Sequence, residues 1–235
     1  MTISDINQAF CVGMINVGRS RGSCFVVEHG GGLYVVTAYH VLYNPDGSLI
    51  CGDGTLFFSN QETDNNNNLY VNITFAQIDI RVSPEDDLAL FRYDTNSDFI
   101  AETRGNDIKL IPISLTSKAE NELWTSMVYI LGFPTSLRID APFDTKPMAA
   151  SGVVSAYDRA KSSFIVNAPV YYGNSGCPVL RVQDGTVEIV GIVQRLVMFN
   201  LEWKNPYERE LSRLDWHNSG YTLCLHASKI QQLLG

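Results

Sequence analysis

The chain has 235 residues, enough to bury a sizeable core as one large all-β domain or as two packed halves. Apolar residues make up 45% and charged residues 18%, the balance of a globular protein, while a net charge of -8 argues against a sequence-independent nucleic-acid binder. No apolar run reaches the roughly 18 residues that a membrane-spanning helix needs, and an early Asp5 stands where a secretory signal would carry a basic start.

Five cysteines (Cys11, Cys24, Cys51, Cys177 and Cys224) form no CxxC pair. Their odd number and spacing suit neither a disulfide framework nor a zinc site, and point to a reducing, cytoplasmic location.

In chain order, the dominant pattern is short β-rich runs between turn signals. Residues 23–29 and 33–38 flank Gly30-Gly31-Gly32 and predict a hairpin. From Leu69 to Val82 the apolar positions run Val71, Ile73, Phe75, then change phase to Ile78, Ile80, Val82, which predicts a bulge or sharp bend. The stretch Asp64–Asn68 reads as a loop tip. Further strands are expected over Leu88–Tyr93, Ile108–Ile113, Met127–Leu131, Gly152–Ala156 and Phe164–Ala168. Val179–Val182 and Val187–Val193 then bracket a second hairpin signal, Asp184-Gly185. Helical signals are few. Asn205-Pro206 opens a predicted helix over Tyr207–Trp216 with Gly220 as its stop, and Ser228–Leu234 reads as a terminal helix with a serine cap. The polar stretch Thr116–Glu122 is the expected connector between the two halves.

Three short segments carry chemistry. In Gly173-Asn174-Ser175-Gly176-Cys177-Pro178, a serine between glycines precedes a strand. That setting can expose the hydroxyl while neighbouring backbone N–H groups converge where negative charge develops in acyl transfer. The unreactive alternative is a Gly-rich turn feeding a strand. His40, in Thr37-Ala38-Tyr39-His40-Val41-Leu42, ends an apolar strand and can act as a general base near neutral pH. A lone histidine there is otherwise a hydrogen-bonded core residue. Asp86-Asp87 precedes Leu88-Ala89-Leu90-Phe91, where a carboxylate can orient an imidazole or simply cap a turn.

Taken together, these residues follow the order His, Asp, Ser, with separations of 47 and 88 residues. This arrangement resembles that of the chymotrypsin-like serine peptidases. Gly22–Glu28 with the TAYHVL segment is similar to the strand-turn-strand leading to that family's histidine, and Asp87-Leu88-Ala89-Leu90 to its acid motif, which selects Asp87 over Asp86. Ile130–Pro134, Ser151–Ala156 and Tyr221–Leu234 resemble segments of the HtrA-type branch.

The resemblance implies an all-β fold of two six-stranded antiparallel β-barrels with a short C-terminal helix. Residues 1–115 would form the barrel carrying His40 and Asp87, and residues 116–235 the barrel carrying Ser175, with an insertion over 199–219 and the helix over 228–234. It also implies an endopeptidase without metal or organic cofactor. His40, Asp87 and Ser175 would be its triad, and the Gly173 and Ser175 N–H groups its oxyanion donors. Pro169, Tyr171, Tyr172, Gln194, Leu196 and Gly220 would lie along the substrate cleft.

Departures from the family sharpen these expectations. Asn174 replaces the aspartate that pairs with a freshly cut N-terminus in secreted digestive members. Pro169 stands where trypsin-like members carry an acid, so cleavage after Arg or Lys is not supported. Cys177 is expected to be packed rather than nucleophilic. Gln194, where many relatives have Ser or Thr, alters the support around Asp87. A protein or peptide substrate is implied, with no nucleic-acid or membrane partner. A partner-activated protease and a binding module that has lost turnover are the rival readings.

Overall fold

The apolar runs form two antiparallel sheets in the computed structural model, which describes residues 11–59, 68–93, 100–103, 110–137, 145–204 and 211–235. The first sheet contains β1 (Val12–Val17), β2 (Ser20–His29), β3 (Gly32–Ala38), β4 (Asp53–Phe58), β5 (Leu69–Thr74), β6 (Ile80–Ser83), β7 (Leu88–Tyr93) and β8 (Ile100–Thr103). Their order is β6-β7-β3-β2-β1-β4-β5-β8. A one-turn helix, α1 (Tyr39–Leu42), follows β3. The second sheet is a closed barrel of β9 (Met127–Gly132), β10 (Met148–Asp158), β11 (Ser163–Val166), β12 (Pro178–Gln183), β13 (Thr186–Lys204) and β14 (Leu211–His226). Helix α2 (Ala227–Leu234) ends the chain.

The phase change after Phe75 explains the eight strands of the first sheet. A 3-10 turn over Phe75–Gln77 breaks Leu69–Ser83 into β5, which pairs with β4, and β6, which pairs with β7. One bent segment thus joins both ends of the sheet. Counted as a single strand, it closes a ring of six, and β8 adds to the edge of β5. The fold is therefore all-β with two barrels, as expected.

Strands are buried on both faces where the barrels meet. On β2, Cys24 and Val26 pack into the first barrel, while Phe25 and Val27 face a second cluster. That second cluster also takes Leu88 and Leu90 of β7, Leu180, Ile189 and Ile192 of the second barrel, and Ile230 and Leu234 of α2. This two-sided burial is the physical reason for the unbroken run Cys24-Phe25-Val26-Val27, since a half-solvated strand would alternate apolar and polar residues.

The hairpin at Gly30-Gly31 forms as predicted, with both residues at positive φ. Other expectations are corrected. The part of the predicted Tyr207–Trp216 helix that is described, from Leu211 on, is strand. It pairs with β13 (Leu201 with Asp215, Asn200 with Trp216) to make a long hairpin arm out of the 199–219 insertion. Cross-strand pairing overrides the local helix signals there, and residues 205–210 lie outside the described residues. Gly220 does not stop a helix. It sits within β14, where the register shifts between Leu196 and Met198. Helix α2 begins at Ala227, with His226 as its cap in place of Ser228: the imidazole Nδ1 accepts the Ser228 N–H at 3.1 Å. The described part of the expected 108–113 strand, Leu110–Ile113, is not a strand, although the Ile113 N–H donates to the Val26 carbonyl. Of the expected 64–68 loop tip, only Asn68 is described, and it is buried.

Candidate active site

His40 lies in α1, immediately after β3 delivers the chain to the barrel interface. Asp87 lies in the turn before β7, the strand paired with β3, so strand register brings two residues 47 apart into contact. Asp87 Oδ2 and Oδ1 lie 2.8 Å and 3.0 Å from His40 Nδ1, and Oδ1 also accepts the His40 backbone N–H at 3.0 Å. A carboxylate on Nδ1 sets the tautomer that leaves Nε2 free to accept a proton.

Asp87 has φ +51, a left-handed conformation that aspartate tolerates better than most residues. The turn around it is held from four sides. Its own N–H donates to the Pro84 carbonyl, and its carbonyl accepts the Tyr39 N–H. Asp86, the acid set aside by motif register, accepts from Ser83 Oγ and pairs with Lys229 of α2 at 3.1 Å. Gln194 of β13 donates through Nε2 to the Asp86 carbonyl at 2.8 Å. Gln194, expected along the cleft, thus turns its amide toward the acid turn. A cavity of about 1040 Å³ opens beside His40, bounded by Asp86, Asp87, Tyr157, Arg195 and Lys229.

Ser175 sits in the turn before β12. Its carbonyl accepts the Ser23 N–H at 2.8 Å, and a Cβ at Gly22 would lie 3.0 Å from that carbonyl and collide with Val41. The serine's backbone is therefore packed beside the residue that follows His40. Among the described residues, no hydrogen bond joins the Ser175 hydroxyl to the His40 ring; such contacts commonly lengthen when no substrate is bound.

The donor geometry of this turn follows from its glycines. Gly173 has φ +98 and Gly176 has φ +85. A side chain at Gly173 would strike the Phe133 carbonyl and the Thr135 backbone, and one at Gly176 would strike the Ser23 carbonyl. Within the turn, the N–H groups of Asn174, Gly176 and Cys177 are bonded to the carbonyls of Tyr171, Val193 and Asn174. Among the described residues, the N–H groups of Gly173 and Ser175 have no such acceptor. The two unbonded donors alternate with bonded ones.

Cys177 is fully buried, and burial pushes its thiol up to about 12, which keeps it protonated and unreactive at neutral pH. It fills the space that a side chain at Gly132 would need.

The other residues expected along the cleft lie on the second barrel and do not line the cavity beside His40. Pro169 is exposed, as are Tyr171 and Tyr172, the latter at 71%. Leu196 packs partly into the second barrel's core opposite Thr222, and the space beside Gly220 is empty. Two residues that sequence reasoning passed over hold the segment before Tyr171. Thr222 Oγ1 donates to the Ala168 carbonyl at 2.7 Å, and Asn218 Nδ2 to the Val170 carbonyl at 2.6 Å, holding residues 168–170 against β14. For Thr222, a polar side chain ahead of the apolar Leu223-Cys224-Leu225 was the available signal.

Comparisons with known proteins supply a family and a fold. A sequence model described as the trypsin-like peptidase domain matches residues 22–192, most of the chain. No curated protein matches in sequence. The fold is similar to that of a Glu endopeptidase (TM-score 0.62, 15% identity, covering 100% of this chain and 94% of that one). It is also similar to the thermostable serine protease AL20 from an extremophilic microorganism (TM-score 0.59, 13% identity, covering 97% and 96%). At such identities the structural likeness shows the fold alone, and the sequence match supplies the family. The chain belongs to the trypsin-like serine peptidases and has their chymotrypsin-like two-barrel fold.

Proposed function

We propose that the protein is a serine endopeptidase acting through an acyl-enzyme at Ser175. The observation that carries this reading is the Asp87 carboxylate seated on His40 Nδ1 at 2.8 Å, between residues that only the fold brings together. In the proposed reaction, Ser175 Oγ attacks the peptide carbonyl while His40 Nε2 takes the hydroxyl proton. Asp87 stabilises the imidazolium that forms. The Gly173 and Ser175 N–H groups take up the oxyanion charge, worth about 3 kcal/mol per donor at the transition state. The imidazolium then protonates the leaving amine, and water, activated by the same imidazole, releases the acid product. The chemistry needs no metal or organic cofactor. On this reading the half over 1–115 supplies the base and its acid, and the half over 116–235 the nucleophile.

The absence of an acid at Pro169 and the exposed rings of Tyr171 and Tyr172 support a partly apolar specificity pocket rather than one for Arg or Lys. A second reading draws on the unmade Ser175–His40 hydrogen bond: a protease that a partner protein brings into register. Peptidase assays on purified wild type and Ser175→Ala, with and without cell extract, test both. Turnover by wild type alone, lost in the variant by about 10⁶-fold, supports the constitutive enzyme. Turnover only with extract supports the partner-activated form, and undiminished turnover in Ser175→Ala would remove the proposal.

A further inference from the structure

The geometry points to Ser23 as a positioning residue for the oxyanion donors, an inference that rests on the peptidase reading above. Ser23 lies on β2 of the first barrel and is completely buried. Its hydroxyl donates to the Gly173 carbonyl at 2.7 Å, and its backbone N–H donates to the Ser175 carbonyl at 2.8 Å. The two peptide planes that one serine holds, those of the Gly173 and Ser175 carbonyls, thus flank the plane that carries the free Ser175 N–H, and the first of them adjoins the plane of the free Gly173 N–H.

The tether is itself fixed. The Ser23 hydroxyl accepts the Phe133 N–H at 3.0 Å, and its carbonyl accepts Thr37 Oγ1 at 2.8 Å. The Phe133 bond occupies the hydroxyl as an acceptor while its proton is directed at the Gly173 carbonyl, with the Cys177 thiol also in hydrogen-bonding reach.

The need for such a tether follows from the turn. The Gly173 carbonyl shares its peptide plane with the Asn174 N–H, which bonds the Tyr171 carbonyl, and this plane lies between the two that carry the Gly173 and Ser175 N–H groups, so pinning it from both ends fixes how those donors converge. The carbonyls of Tyr172, Gly173, Asn174 and Ser175 all have acceptor roles, from Ser136 N–H, Ser23 Oγ, Cys177 N–H and Ser23 N–H respectively. The Tyr172 carbonyl also accepts Thr135 Oγ1 at 3.4 Å, whereas the Gly173 carbonyl has a side-chain hydroxyl in place of a backbone donor. Its donor comes from the other barrel, 150 positions away in the chain. Ser23 acts through Gly173 and Ser175 and touches no substrate. The interaction serves the transition state, since donors misaimed by a fraction of an ångström lose anion stabilisation and leave peptide binding intact.

The test compares wild type, Ser23→Ala and Ser23→Cys, which fills the same space with a weaker donor. The measurements are kcat and KM on a peptide substrate, the rate of Ser175 phosphonylation by a fluorophosphonate, and the Gly173 and Ser175 amide resonances. In Ser23→Ala, kcat and the phosphonylation rate should fall roughly 10- to 100-fold with KM within about twofold, because one donor pair is misaimed. Ser23→Cys should be intermediate and carries the comparison if the alanine variant does not fold. Unchanged kcat, or a loss confined to KM, overturns the inference. If wild type neither turns over nor labels, the peptidase reading fails separately. The tether is then judged on the amide resonances alone: displaced in the variants if it holds the turn, unmoved if it does not.

Discussion

The Asp87 turn (the acid turn) and the Ser175 turn (the nucleophile turn of the proposed reaction) do the same mechanical job by opposite means. Each holds backbone at positive φ, Asp87 in one and Gly173 and Gly176 in the other. The acid turn lies near solvent, with the His40 and Asp87 side chains 49% and 27% exposed, and it is braced by charge: Lys229 on Asp86, with Ser83 and Gln194 assisting. The nucleophile turn is buried and braced by neutral hydrogen bonds to β2 and β13. Charged braces at a surface are screened by salt and contribute modestly. Buried neutral ones are insensitive to salt, but removing one partner leaves an unsatisfied group that costs about 1–3 kcal/mol. The second barrel's turn should therefore tolerate changes of solution better than changes of sequence, and the first barrel's turn the reverse.

Breaking the acid turn at its functional atom should have the largest effect. Asp87→Asn leaves the packing intact but presents Nδ1 with a donor in place of an acceptor, so the imidazole adopts the wrong tautomer. The expectation is a fall in kcat of about 10⁴-fold with little change in thermal midpoint. An activity loss under tenfold would mean that Asp87 is not the orienting group.

A milder break removes the brace and leaves the acid. Lys229→Met deletes the ion pair from α2 to Asp86, and kcat should fall several-fold, with Lys229→Arg restoring it. In wild type, raising salt should lower kcat in the same direction, and in Lys229→Met it should do so less. A salt response identical in both proteins would contradict the charged brace.

The smallest expected effect concerns the anchor of α2. Burial lowers the pKa of His226, outweighing the opposite pull of Glu120 nearby, so the folded state keeps the imidazole neutral and able to cap the helix. Because the folded value is depressed, the contribution to stability is complete above the ordinary histidine range, about pH 6.5, and is lost as pH falls through it and below. Urea unfolding between pH 7.5 and 5.5 should show a decline of about 1 kcal/mol, the worth of a cap. Much of that decline should be absent in His226→Asn, whose amide caps at either pH. Equal declines in both proteins would assign the effect to other groups.

What was legible in the sequence was local. The glycines around Ser175, the acid beside Leu88-Ala89-Leu90 and the phase slip at Phe75 each announce their geometry within a few residues. The misread segments depend on distant partners. Leu211–Trp216 is strand because β13 lies alongside it, while its own Asn-Pro start and mixed charges suit a helix equally well. His226 escaped as a cap because histidine is outside the usual capping set. Gln194 was tied to the support around Asp87 only through the family resemblance, and Ser23 looked like a polar residue at the margin of an apolar strand. Their bonds, to Asp86 and Gly173, span 108 and 150 positions, and no spacing rule reaches that far.

The central claim, that the fold activates Ser175 through His40, is tested most directly by exposing the native protein to a fluorophosphonate at neutral pH and mapping the adduct by mass spectrometry. The account predicts a single adduct on Ser175, formed quickly in wild type and far more slowly in His40→Ala, with Cys177 untouched. No adduct on Ser175, or one formed at the same rate without His40, would contradict it.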